Sequence, residues 1–509
     1  MSHKSFIKKI NLTIIAVIVS MAVLAGCSAT DETKTAEKTA AVKEDAAAQL
    51  TSDHGVKDDG SASDPASPKS DIPYAEENMP LCIEAKEDGV VVRFDVKGTN
   101  AGASESGKWE GKYSIDGRKW KEYTTEAPED IELNAGDHLF FIGKFAEYGS
   151  KNKYPHIGID GLSGCNGNIM SIVAGDNFAD VRDLPKGCSL YGLFYGNEDM
   201  ETAPELPATA LTPHCYENMF ESCYRLAKIP DLPATELAPY CYEEMFNHCY
   251  ALTGEGIVLP ATTLAEHCYE EMFMNCDDLE TAPELPAATM EPYCYAGMFR
   301  ECKDLQNIQI LPAKSLAEHC YENMFYNCRY NMTETPELPA EKLAPYCYSH
   351  MFDSCLKLKD AKGLPATELA DFCYEEMFSH CSDLETAPVL PAMQTATACY
   401  DSMFYDCSSL LKAPELPATS TSELCYCGMF EMCSALKETP ELPATDLNTG
   451  CYAYMFKDCG ELAKACCLPA ENIGINSYRE MFSGCKSLTE KPDLPGSVDK
   501  DRIYEQMGF

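Results

Sequence analysis

The sequence predicts a repeat solenoid of about 12 coils preceded by a small all-β domain, and three observations predict it. The pair Met-Phe recurs with its Phe at 220, 246, 273, 299, 325, 352, 378, 404, 430, 456 and 482, in steps of 26 or 27. Two columns of cysteine keep the same phase. Between residues 81 and 164, by contrast, β-branched and aromatic runs are separated by turn residues, the mark of short strands. A unit this short cannot bury its own apolar face and must stack on neighbours, so the period itself implies an array.

Residues 1–27 read as an export signal, with Lys4, Lys8 and Lys9 ahead of a mostly apolar run from Ile10 to Ala25 that is too short to count on as a spanning helix. It ends Leu24-Ala25-Gly26-Cys27, which resembles the lipobox of bacterial lipoproteins. That resemblance implies lipidation of Cys27, a membrane anchor, and a place on the bacterial cell surface or outer membrane, because Ser28 replaces the Asp of inner-membrane retention signals. An ordinary signal peptide with a cysteine near its end is the alternative. Residues 28–80 are built of Ala, Thr, Ser, Lys, Asp and Glu and cannot bury enough apolar surface to fold, so a disordered tether is expected there.

Residues 81–164 are expected to form a small β-sandwich-like domain. Val90 to Val96 is a strand candidate, and Asp116-Gly117 sits between two half-apolar arms as a hairpin turn. Ile131 to Leu133 and Leu139 to Ile142 flank Asn134-Ala135-Gly136-Asp137, which predicts a second hairpin. Trp109 and Trp120 are read as core residues, with an exposed sugar platform as the alternative.

The repeats fill residues 165–496. Leu193-Phe194 marks a further unit one period before Phe220, and Tyr504 and Met507 lie one period after Tyr478 and Met481, so 497–509 reads as a partial terminal repeat. In each unit the stretch ending in Leu-Pro, such as Leu279 to Pro286, is the candidate parallel strand. Pro283 removes a ladder donor and limits it to two or three paired residues. Tyr-x-x-Met-Phe suits a helical or 3-10 turn on the opposite side.

The arrangement Met219-Phe220-x-x-Cys223-x-x-Leu226 with Leu232-Pro233, kept in nearly every later unit, resembles the BspA-type leucine-rich repeat. The unit is longer than that family's common form, the first unit lacks both repeat cysteines, and the last has Ser477 in place of one. The resemblance implies a leucine-rich-repeat solenoid in a bacterial surface protein, of a family associated with adhesion to host or neighbouring cells. It carries over no catalytic residue and no cofactor.

The cysteines form a column of ten before the tyrosine (Cys215 to Cys451) and a column of eleven after the phenylalanine (Cys223 to Cys485). Such regularity points to inward packing, with weak donation from S–H to backbone carbonyls. Stacked columns suit bridge geometry badly, though a disulfide from one column to the other is the alternative. His214, His267 and His319 each precede a cysteine, but Cys-x-x-Cys spacing is absent and no metal site is expected.

A net charge of −41 excludes nucleic acid as a partner. Acids also stand just before Leu-Pro at Glu205, Asp231, Glu284, Glu337, Glu415, Glu441 and Asp493, interrupted by Ile310 and Val389. This column is the candidate ligand-binding strip, and a merely solvated face is its alternative. No motif of a hydrolase, phosphate loop or calcium loop occurs, and no enzyme is expected. The expected function is therefore a surface-displayed, lipid-anchored adhesion scaffold that binds host or neighbouring-cell surface protein or glycoprotein through its repeats. A passive surface spacer, or a carbohydrate-binding lipoprotein using the β domain, is the alternative.

Overall fold

The computed structural model describes residues 72–98, 107–187, 189–308 and 310–509. The expected export signal, Cys27 and the tether up to residue 71 lie outside the described residues.

The β domain has eight strands: β1 (Cys82–Ala85), β2 (Val90–Gly98), β3 (Trp109–Ser114), β4 (Lys121–Thr124), β5 (Ile131–Leu133), β6 (His138–Phe145), β7 (Lys153–Asp160) and β8 (Ser163–Asn166). They form a five-stranded sheet in the order β4-β3-β6-β1-β8 and a three-stranded sheet in the order β5-β2-β7, all pairs antiparallel. The sheets meet where Phe94 of β2 packs on Trp109 of β3 at 4.8 Å and on Phe141 of β6 at 5.8 Å. Trp109 is fully buried and its indole N–H donates to the Ile172 carbonyl at 2.9 Å, so it is core as expected; Trp120 is only half-buried, with Lys112 Nζ 5.3 Å from its ring centre, and does not join the core.

One of the two expected hairpins is corrected here. Residues on either side of 81–164 pack with this domain: Tyr74 packs on Phe140 and donates to the Gly117 carbonyl, and β8, which pairs with β1, ends at Asn166. An aromatic residue in a polar run has somewhere to bury itself, so the tether's last residues join the fold. The first hairpin forms, with Asp116 Oδ1 accepting from the N–H groups of Arg118 and Lys119 at 2.9 and 2.7 Å. The second does not. β5 pairs with β2 while β6 pairs with β1 and β3, so the Asn134 to Asp137 turn carries the chain from one sheet to the other. Ile131 and Leu133 then face Leu139 and Phe141 in one buried cluster, which removes more apolar surface from water than a flat hairpin would.

From residue 189 on, the units stack in register. The ladder Phe194, Phe220, Phe246 and so on to Phe482 is continuous, with parallel rings 5.4 to 5.8 Å apart. On the Leu-Pro side the coils pair less than expected. Isolated parallel bridges such as Glu334↔Asp360 and Ser315↔Lys342 replace strands, and among the described residues only β9 (Asp446–Leu447) and β10 (Asn472–Ile473) extend to two residues. The prolines withhold N–H donors on this side, and the larger hydrogen-bonding share falls to the other.

There the chain forms an extended arm of consecutive turns and no helix. Every fourth residue of the arm has positive φ, as at His214 (59°), Asn218 (53°) and Ser222 (61°), and a right-handed helix cannot pass through such a residue. N–H groups alternate between two partners. Those of Met219, Glu221 and Cys223 close turns onto Tyr216, Asn218 and Phe220, whereas those of Tyr216, Asn218, Phe220 and Ser222 donate to the next unit at Cys241, Glu243, Met245 and Asn247, at 2.8 to 3.1 Å.

Both edges of this lattice are closed. At the first unit the Leu193 carbonyl accepts from Ile157 N–H of β7 at 2.7 Å, and Asn197 Nδ2 donates to the Ile157 carbonyl. At the far edge residues 497–509 form no thirteenth turn arm. They make a helix, α1 (Lys500–Met507), capped by the Asp499 side chain at its start and by Gly508 (φ 92°) at its end. Its Gln506 and Met507 carbonyls accept from Glu480 and Phe482 N–H at 2.7 and 3.0 Å.

Candidate functional site

The cysteine columns are interior. Cys215 to Cys451 and Cys223 to Cys459 are fully buried, and no disulfide forms among the described residues. Each thiol of the second column donates to the carbonyl of the preceding unit's phenylalanine, as Cys302 does to Phe273 at 3.0 Å. Burial pushes Cys215, Cys268 and Cys347 up to about 12, so these thiols stay protonated and unreactive. Cys467, outside both columns, is exposed.

All seven acids of the strip are exposed: Glu205, Asp231, Glu284, Glu337, Glu415, Glu441 and Asp493. Their backbones take part in stacking, since Leu311 N–H donates to the Glu337 carbonyl and Leu468 N–H to that of Asp493, at 3.1 and 3.0 Å. The seven side chains therefore stand in line, at most one per unit, on a backbone that fixes their spacing. Val258, Ile310 and Val389 occupy the same column and are exposed as well. Lys362 lies 3.5 Å from Glu337 and is the strip's one cationic neighbour within ion-pair distance among the described residues. Burial, with Glu76 adding to it, raises the Glu205 carboxyl where the strip meets the β domain.

The turn arms carry a second acidic face that the sequence reading did not single out. Burial pushes Glu221 and Glu243 up to about 7 and Glu270 up to about 8, and neighbouring carboxylates add to the effect. Beside them His214, Tyr240, His267, Tyr293, His319, Tyr346 and Phe372 stack as half-buried parallel rings at 4.4 to 4.7 Å. His214, His267 and His319 do not approach the cysteines that follow them. Each instead meets a glutamate three residues on, Glu217, Glu270 and Glu322. Lys151, from the β domain, reaches Glu217 at 2.6 Å and Glu243 at 3.6 Å and lies over the Tyr240 ring. The repeat period applied to every column, and not only to the conspicuous ones, was the signal that would have found this face.

The family model for the BspA type leucine rich repeat region matches six copies, over residues 270–411 and 347–489. These are BspA-type leucine-rich repeats. No curated protein and no solved structure matches the chain. The stack to which the matched residues belong extends beyond them, because the phenylalanine ladder starts at Phe194. Among the described residues no helix is long and apolar enough to cross a membrane.

Proposed function

We propose that the protein is a cell-surface scaffold, anchored through lipid on Cys27, that binds protein or glycoprotein of host or neighbouring cells through its BspA-type repeats. One observation carries the reading: in ten of twelve units the position before Leu-Pro presents an exposed acid or one of Val258, Ile310 and Val389, with Gly363 and Cys467 in the other two, on a backbone spaced by the stack. A basic, partly apolar surface finds both charge and apolar anchors there, and the charge speeds encounter while the apolar residues hold the complex. Like charges in line repel one another, which a cationic partner relieves. A passive spacer needs no such column, and the buried Trp109 leaves the sugar-binding alternative with the half-buried Trp120 alone.

The test is binding of the chain from Ser28 to Phe509 to mucin, matrix glycoproteins and bacterial cells across a salt series, beside a variant with Glu284, Glu337, Glu415 and Glu441 changed to Gln. Saturable, salt-sensitive binding that the variant loses is the expected result. Equal binding by both proteins, or binding by neither, refutes the strip.

A further inference from the structure

We propose that His350, Asp353 and Glu376, on the turn arms of two successive units, form a binding site for a single divalent first-row transition-metal ion. The register puts them together. Glu376 follows His350 by one period and so lies beside it in the stack, while Asp353 is on the same arm as His350. One ligand atom from each lies within 4.8 Å of the other two.

The spacing has the dimension of an ion. His350 Nδ1 is 3.4 Å from Asp353 Oδ2 and 3.7 Å from Glu376 Oε2. The first is a long hydrogen bond and the second an ion-pair contact, both wider than the roughly 2.7 to 2.9 Å of a tight charge-assisted hydrogen bond. The edge of a tetrahedron with metal–ligand bonds of about 2.0 to 2.2 Å is about 3.3 to 3.6 Å. The other Asp353 oxygen is already held: Ser354 Oγ donates to Oδ1 at 2.9 Å and His380 Nδ1 stands 3.3 Å from it. That is the second layer of hydrogen bonding that orients a ligating carboxylate, here with Oδ2 turned toward His350.

The surrounding charge calls for a cation. Asp353, Glu375, Glu376 and Asp401 crowd this part of the stack, and the ion pairs they form are with histidine alone, with no lysine or arginine among the described residues. Elsewhere on the same arms a lysine fills that role: Lys151 at Glu217, Lys303 at Asp277 at 2.8 Å, and Lys457 at Glu431. The other His and carboxylate cluster, His214 with Glu217 and Glu243, is thus already compensated by Lys151. One imidazole and two carboxylates suit Zn²⁺, Co²⁺ or Mn²⁺, and three protein ligands leave a position for water or for a ligand atom of a bound partner.

The experiment titrates the full chain, freed of metal, with Co²⁺ and reads its visible spectrum and stoichiometry. The expected result is one equivalent bound through nitrogen and oxygen, without the charge-transfer band that a thiolate ligand would add. His350→Ala and Glu376→Gln should each weaken binding about 10-fold or more. His350→Ala also removes a cationic partner of Asp353 and Glu376 and should lower the metal-free melt, so Glu376→Gln, at a partly exposed side chain, is the variant that should melt as the parent does. Glu217→Gln, at the lysine-filled cluster, should bind Co²⁺ as the parent does. No saturable binding at micromolar Co²⁺, a thiolate spectrum, or variants that bind as the parent does would each overturn the site.

Discussion

Asn275→Val tests the backbone on which every repeat rests. Asn275 lies on a turn arm at φ 59°, its N–H donating to the Arg300 carbonyl at 2.9 Å, so the stack fixes its conformation. Left-handed backbone costs an L residue roughly 1 to 2 kcal/mol, asparagine tolerates it better than most, and a β-branched residue there is an outlier. Valine is thus expected to destabilise the arm by about 1 to 2 kcal/mol although the site is partly solvent-exposed, where substitutions ordinarily stay within about 0.5 kcal/mol. Asn275→Gly should be nearly neutral, because relief of strain offsets the larger unfolded-state entropy of glycine, about 0.5 to 1 kcal/mol. Glu280→Val, exposed in the same unit but without positive φ, is the control. The assay is amide hydrogen exchange across residues 269–276, since a long array does not unfold in one step. If valine at 275 costs no more than valine at 280, or glycine costs more than valine, the account of the arms is wrong. The sequence already leans one way: the non-glycine residues with positive φ include no Val, Ile or Thr.

Stability should also depend on pH. Carboxyls raised to about 7 at Glu243 and about 8 at Glu270 bind protons in the fold that the unfolded chain has already released, so stability falls as pH rises from about 4.5 through 8. Below the unfolded histidine value of about 6.5, the lowered His156, His214, His248 and His267 work in the opposite sense. Melts at pH 5.5, 6.5 and 8.5 should therefore show the lowest midpoint at 8.5, with the loss between 6.5 and 8.5 reduced in Glu270→Gln; a parent midpoint that rises over that interval contradicts the assignment. Phe325→Ala, which empties a ladder rung between Phe299 and Phe352, should cost about 3 to 5 kcal/mol, with the lost exchange protection centred on the adjoining units. A uniform loss along the whole chain would speak against nearest-neighbour stacking. In a thiol-reagent assay on the native protein Cys467→Ser should remove one reactive equivalent, whereas Cys302→Ser should remove none until the protein unfolds.

What the sequence made legible is what repeats by residue type. The phase of Phe220, Cys223 and Leu226 announced the stack, its inward thiols and the exposed column before Leu-Pro. The turn arms stayed hidden because their decisive property is a dihedral angle. His214, Tyr240, His267 and Tyr293 share φ near 55 to 59° but no side-chain chemistry that marks it. The crossing of β5 and β6 between sheets was equally hidden, since a four-residue turn between two apolar runs reads the same whether it joins neighbours in one sheet or facing strands in two. The cluster at His350 was in plain view, with Asp353 three residues on and Glu376 one period away. It needed the period to be applied to polar columns as well as apolar ones.

The backbone hydrogen bonds that join one arm to another all run one way, from an N–H in one unit to a carbonyl in the next, with β7 closing the carbonyl edge and α1 the N–H edge. Every internal junction is then interchangeable with every other, while the two closures are made once each whatever lies between them. Unequal crossing-over between copies can lengthen or shorten such a protein by whole units without redesigning either end. Reach from the β domain, and the number of exposed side chains offered along the way, are thus quantities that inheritance can adjust one coil at a time.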